Sequence, residues 1–269
     1  MVRRVVAKNP GPFTFRGTGT YVIGHGSVAV IDPGPDDKDH LEAILGGIAG
    51  ESVTHILITH THIDHSPLSR ALSARTGAGV YAFGPNPSTP DGTGEASGDT
   101  DFVPDEVIRD ADRVTGSDWA VDVVHTPGHA SNHLCFGLAE EKALFTGDHV
   151  MGWSTSVISP PDGDMAAYVA SLKRLLDRDD RHYYPTHGPR IDQPHDYVRE
   201  LIQHRAERES EILAALAIGP ATISELVAGI YAGLPENLVR AAARSVRAHL
   251  IELERRSAVH GDLGRYRRV

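Results

Sequence analysis

Seven consecutive residues, Thr59-His60-Thr61-His62-Ile63-Asp64-His65, carry three imidazoles and a carboxylate. These are the side chains that a zinc-type cation accepts, at about 2.0–2.2 Å. In an extended loop, residues two apart point the same way, so His60 and His62 can address one ion. Asp64 and His65 continue the turn and can face a second. Two cations about 3.5–4 Å apart form a hydrolytic pair. A surface loop that is merely His-rich is the alternative. The rest of the chain argues against it, because Gly128-His129, Gly147-Asp148 and Thr186-His187-Gly188 supply further ligands in turn, and a metal site is argued from its ligand count.

Rigid elements must hold such a loop. The run Val53 to Ile58 is apolar and β-branched and reads as a buried strand leading into it. Ser66-Pro67 reads as a helix start, with Ser66 as the cap and Pro67 in the first turn, and Gly77 ends that helix. The other candidates repeat the pattern. His125-Thr126-Pro127-Gly128-His129 ends a strand over Trp119–His125. Gly147-Asp148 follows a strand over Ala143–Phe145, and Thr186-His187-Gly188 ends a short strand near Tyr183. Each ligand thus stands at a strand end before a Gly- or Pro-containing turn, which gathers them at one edge of a sheet assembly.

Upstream, Thr20–Ile23 and Val28–Ile31 flank Gly24-His25-Gly26-Ser27, a hairpin signal. Asp32 closes the second strand and either braces the metal loop from behind or serves as a turn residue. Residues Gly84 to Asp101 are rich in Gly, Pro, Ser, Thr and Asp and read as a rim around the site. His133 stands four after His129, as a donor behind the ligands or as a structural imidazole. Cys135 lies between Leu134 and Phe136 and reads as core. His149, Trp153 and the Ser154–Ser159 loop are candidates for touching substrate.

The 269-residue chain has room for one large domain and a small one. Its net charge of −10 argues against nucleic-acid binding over the whole surface. A single cysteine excludes an internal disulfide and points to a reducing compartment. No apolar run approaches the length of a membrane span. A soluble cytoplasmic protein is the expectation. Composition changes near Gln193, giving expected domains over 1–194 and 195–269. The second reads as a long charged helix over His195–Ile218, a break at Gly219-Pro220, helices over Thr222–Tyr231 and Glu236–Arg256, and a terminal hairpin: a winged helix. From Arg240 to Val269 eight arginines face Glu252, Glu254 and Asp262, a local basic excess.

The set His60-x-His62-x-Asp64-His65, Gly128-His129, Gly147-Asp148 and Thr186-His187-Gly188 resembles the metallo-β-lactamase superfamily in order and spacing, across residues 20–190. The resemblance implies an α+β fold, an αββα sandwich of two facing β-sheets with helices outside and metals at one edge. It implies one metal on His60, His62 and His129, another on Asp64, His65 and His187, and Asp148 with a hydroxide bridging both. It also implies that antibiotic hydrolysis is disfavoured, since Asp148 holds the bridging position and Cys135 lies mid-strand. Only 38 residues separate Asp148 from His187, too few for the extra domain of the mRNA-cleaving branch. The tail (His204-Arg205-x-x-Arg208-Glu209, Thr222-Ile223-x-Glu225-Leu226-Val227 and Ile230-Tyr231-x-x-Leu234-Pro235) resembles lactamase-B-like hydrolases with a C-terminal winged helix. That group includes a single-strand endoribonuclease, from whose Ser-Gly-Gly the stretch Ser66-Pro67-Leu68 departs.

The expected chemistry is hydrolysis by a metal-bridging hydroxide on an ester, thioester or similar small molecule, with Asp64 orienting the attack. Zinc is the first expectation for the two divalent ions, and iron and manganese also suit this ligand set. In this reading the winged helix is a lid or a dimer surface. The alternative partner is single-stranded RNA, gripped by Arg255, Arg256, Arg265, Arg267 and Arg268 with Tyr266. A nucleic-acid-binding module with structural metals is weaker, because a full ligand set at a solvent-facing edge implies an open site.

Overall fold

A computed structural model describes residues 1–86 and 98–269. Residues 87–97, most of the stretch expected to rim the site, lie outside the described residues. The first sheet has six strands in the order β1 (Val2–Val6), β2 (Gly19–Ile23), β3 (Ser27–Ile31), β4 (Ser52–Leu57), β5 (Gly79–Ala82) and β6 (Glu106–Val107). The β1–β3 pairs are antiparallel and those from β3 to β6 are parallel. Helices α1 (Lys38–Gly47) and α2 (Leu68–Thr76) make the crossovers. The second sheet runs β11 (His182–Pro185), β10 (Ala143–Gly147), β9 (Leu134–Leu138), β8 (Ala120–His125) and β7 (Arg113–Thr115).

Strand periodicity sorts the apolar side chains into three layers. Tyr21, Ile23, Ala29, Ile31 and Leu57 of the first sheet meet Val121, Val123, Leu134, Phe136 and Phe145 of the second. The alternate residues Val22, Val28, Val30 and Ile56 face outward, against Leu41, Ile44, Leu68 and Leu72 of α1 and α2. On the far side Val124, Cys135, Leu144 and Tyr183 pack against α3 (Met165–Leu175) and the start of α4 (Pro194–Ile218). Helix, sheet, sheet, helix is the αββα sandwich expected from the ligand motifs. Strands covered on both faces read as near-continuous apolar runs rather than as clean alternation, which is why β2 and β3 are visible in the sequence.

Ser66 departs from its expected role. Helix α2 starts at Leu68 and has no side-chain cap. The Ser66 hydroxyl is buried and donates instead to Asp99 Oδ2 at 3.0 Å, a carboxylate also bound by Arg70. A buried hydroxyl facing a carboxylate makes a charge-assisted bond, stronger than a neutral cap. The helix end follows expectation: Gly77 adopts φ 76, the left-handed conformation that favours glycine.

The C-terminal part has its own core. β12 (Ala221–Thr222), α5 (Ile223–Ile230), α6 (Glu236–Arg255) and the hairpin of β13 (Val259–Asp262) and β14 (Arg265–Arg268) form a helical pair with a three-stranded wing. Thr222 and Glu225 make a reciprocal capping box at the start of α5. Leu226, Val227, Val246, Leu250 and Leu253 pack on Ile212 and Leu216 of α4.

Candidate metal centre

The loop after β4 is held from behind by Asp32, at the end of β3. Asp32 is fully buried, with φ 48. Its Oδ1 accepts the Thr59 N–H at 2.8 Å. Its Oδ2 accepts the Thr59 hydroxyl (2.7 Å), the Thr186 hydroxyl (3.1 Å) and His65 Nδ1–H (2.8 Å). This one carboxylate ties the His60–His65 loop to the His187 turn. It also commits His65 Nδ1–H to itself, which turns Nε2 toward the site. Asp32 therefore stands as a brace rather than as a simple turn residue.

Two triads result. His60 Nε2 lies 2.9 Å from His62 Nδ1, and His129 Nε2 lies 3.1 Å from that same His62 nitrogen. On the other side His187 Nε2 is 3.1 Å, and His65 Nε2 3.6 Å, from Asp64 Oδ2. Asp148 stands between them. Its Oδ1 is 3.4 Å from both His65 Nε2 and His187 Nε2, and its Oδ2 is 3.8 Å from His129 Nε2. A tetrahedron with bonds of about 2.0–2.1 Å has edges of about 3.3 Å, so these spacings fit donors around a cation. The sets His60/His62/His129, His60/His65/Asp148 and Asp64/His65/His187 each keep their ligand atoms within 4.8 Å of one another. The structure thus brings together all seven candidate ligands.

Protonation divides the two triads. Burial, reinforced by the neighbouring imidazoles, pushes His60 well below its ordinary value, and burial with His129 nearby takes His62 to about 3. Burial also lowers His129. Burial thus disfavours the charged form of all three. Burial acts the same way on His65 and His187, but there it is outweighed. Asp64 and Asp148 hold His65 well above, and His187 above, the usual histidine value. In return, against burial, His65 and His187 lower Asp64 to about 2 and hold Asp148 well below the carboxylate range. The two carboxylates and the two imidazoles thus favour each other's charged forms.

Outer contacts fix the remaining ligands. His129 Nδ1–H donates to the Val157 carbonyl at 2.7 Å, with Ser156 Oγ at 3.1 Å. His133 is buried, and its Nε2 accepts the Asp148 N–H at 3.2 Å while Nδ1 meets Thr126 Oγ1. It therefore holds Asp148 through the backbone. Gly147, at φ 50, makes this approach possible: a Cβ there would sit 2.6 Å from His133 Nε2 and 2.9 Å from Thr59. Arg4 of β1 donates to the carbonyls of Thr186 and Gly188 on either side of His187. Thr61 anchors the outer flank of the loop, accepting Asp99 N–H at its carbonyl and Asn132 Nδ2–H at its hydroxyl.

Two expectations about substrate contact change. His149 is fully buried, edge-on to Tyr168, with neither ring nitrogen hydrogen-bonded among the described residues and burial taking it to about 3. Ser156 is likewise buried and turned toward His129. Both serve the interior. Trp153 stays near the surface, stacked on Phe15 with ring centroids 5.1 Å apart. Ile63, between His62 and Asp64, is 42% exposed. Sequence reasoning misses Thr59, Thr186, Arg4 and Phe15. Only the two threonines carry a signal, as neighbours of His60 and His187. Arg4 reaches the His187 turn, and Phe15 reaches Trp153, through tertiary contacts alone.

Comparison with known proteins agrees with this geometry. Residues 14–187 match the family model described as metallo-beta-lactamase superfamily, and residues 222–262 match that of the beta-lactamase associated winged helix domain. The lactamase-like protein adaB of Aspergillus niger is 32% identical, over 89% of this chain and 76% of its own length. An atrochrysone carboxyl ACP thioesterase of Aspergillus fumigatus is 30% identical, over 88% of this chain and 75% of its own. The crystal structure of a metallo-beta-lactamase family protein from Thermus thermophilus shares the fold, with a TM-score of 0.83 at 24% identity over 100% of this chain and 98% of that one. The protein belongs to the metallo-beta-lactamase superfamily, as a hydrolase that carries the associated winged helix in its C-terminal part.

Proposed function

We propose that the protein is a dinuclear metal-dependent thioester or ester hydrolase acting on small substrates with an apolar acyl part. The observation that carries the two-ion reading is Asp148, whose two carboxylate oxygens face different triads at 3.4 and 3.8 Å. His60, His62 and His129 would hold one cation, and Asp64, His65 and His187 the other. Bound there, two such ions would acidify water to a pKa of about 7 and polarise a carbonyl oxygen. Zinc is the first choice, and iron and manganese suit the same donors.

The chain's own groups set up the rest. Asp64, whose Oδ2 also accepts the Thr18 hydroxyl at 3.4 Å, would orient the attacking water. Phe15, Trp153 and Ile63 offer exposed apolar surface on loops that carry or flank the ligands, which suits an acyl chain better than a polyanion. Similarity to a protein named as a thioesterase supports the same class.

The arginines considered for an RNA grip are partly committed. Arg255 pairs with Asp164, Arg256 with Glu209 and Arg265 with Glu225, and Tyr266 packs against the winged-helix core. The test is a panel of acyl thioesters and labelled single-stranded RNA, offered to the metal-loaded chain and to Asp64→Ala. Thioester turnover that Asp64→Ala abolishes, with helix content and melting retained, is the expected result. RNA cleavage lost in the same variant, without thioester turnover, would replace this reading.

A further inference from the structure

Between α3, α4 and α6 lies a cavity of about 480 Å³, within the size range of small-molecule sites. No side chain of the metal centre lines it. Met165, Val169 and Ile202 form an apolar wall, and Arg205, His249 and Lys173 are among the polar groups. Arg205 is 3% exposed. One of its terminal nitrogens donates to the Ser156 carbonyl, while its Nε has no hydrogen-bond partner among the described residues. His249 is 2% exposed, and neither ring nitrogen has a hydrogen-bond partner among the described residues. A buried donor left without an acceptor is destabilising. Two such groups, from different helices, lining one cavity mark the place of a missing acceptor.

Charge narrows the occupant. Arg256 is already matched by Glu209 and Glu252. Lys173 is exposed and meets no carboxylate among the described residues. Of the lining groups, Lys173, Arg205 and Arg256 are cationic and Glu209 and Glu252 anionic. Burial beside Arg205 keeps His249 neutral, at about 3. The lining therefore carries one net positive charge, which a single negative charge balances.

We propose that this cavity is a second binding site, for a small amphipathic monoanion: a carboxylate on a short apolar chain. Its head group accepts from Arg205 Nε and from a ring N–H of His249, and its chain lies along Met165, Val169 and Ile202. The occupant shares its anchor with the metal centre's surroundings, because Arg205 also holds the Ser156 carbonyl, and Ser156 Oγ stands beside His129 Nδ1.

Calorimetric titration of the metal-loaded full chain with octanoate tests the site, with octanol and acetate as partners lacking the charge or the chain. Saturable one-to-one binding of octanoate is expected, with each control at least about tenfold weaker, as befits loss of a charged hydrogen bond or of the buried chain. Arg205→Lys should weaken octanoate by about tenfold. Because a change at buried Arg205 can disturb folding, Ala170→Trp is the decisive variant: Ala170 lines the cavity at an exposed position of α3, so the indole fills the space without entering the core. Binding lost in Ala170→Trp, with metal content unchanged, supports the site. Unchanged affinity there, octanol binding as well as octanoate, or no saturable binding at all would overturn it.

Discussion

Asp32 shows how a residue that touches no cation can decide whether one binds. Four donors converge on its two oxygens, and one of them, His65 Nδ1, sets which nitrogen faces the site. Asp32→Asn replaces one acceptor by an NH2 group that meets a donor head-on. Loss of such an outer partner typically costs about 10–100-fold in metal affinity. On the proposed two-ion reading, the Asp64/His65/His187 set should weaken by that factor while His60/His62/His129 still fills, so metal analysis after dialysis should fall from two ions per chain toward one. Protonation gives the same set a pH dependence. His65 and His187 have raised values in the metal-free fold, so their contribution to its stability is complete below about 6.5 and fades as pH rises through the raised values. A cation must displace these protons, so its affinity rises with pH. The gap in melting temperature between metal-loaded and chelated protein should therefore widen from about pH 6 to about pH 8, and calorimetric metal titration should show proton release as a buffer-dependent enthalpy. A gap that narrows would contradict the assigned charges.

At the scale of elements, strand ends do the positioning, and glycines set how close they come. Gly147→Ala forces a Cβ into His133 and Thr59 at a backbone angle that disfavours any side chain. We expect a loss of about 2 kcal/mol in urea unfolding, with displaced Asp148 weakening metal retention as well. Much of this layer is legible in the sequence, because β4, β9 and the ligand turns carry their signals locally: β-branched runs, then Gly or Pro, then His or Asp. Leu134–Leu138 is bounded as expected for that reason. What stays hidden depends on residues far apart in the chain. The Ser66 hydroxyl finds Asp99 rather than the helix end. Ser156 turns inward because His129 waits there, and Arg4 reaches the His187 turn across more than 180 residues. No local pattern encodes such pairings, and the same holds for the cavity between α3, α4 and α6.

For the whole molecule, the candidate ligand set spans the two sheets. His60, His62, Asp64 and His65 follow β4 of the first, whereas His129, Asp148 and His187 follow β8, β10 and β11 of the second. A cation bound only by the folded chain stabilises it by mass action, by about 4 kcal/mol at a thousand times its dissociation constant. For a chain of this size each kcal/mol moves the melting temperature by about 2–4 °C, so removal of one such ion should lower it by roughly 10 °C. Helix α4 decides how the winged helix responds. Its first turns, through Val198 and Leu201, belong to the core under the second sheet, its last turns, through Ile212 and Leu216, to that of the winged helix, and Ala248 of α6 packs back into the former. Arg255 of α6 also pairs with Asp164, which caps α3. A helix shared by two cores cannot lose one without fraying the other, so calorimetry should show one transition that moves as a unit on chelation. Two transitions, only the first sensitive to metal, would mean that the winged helix melts independently and that α4 is a tether rather than a shared beam.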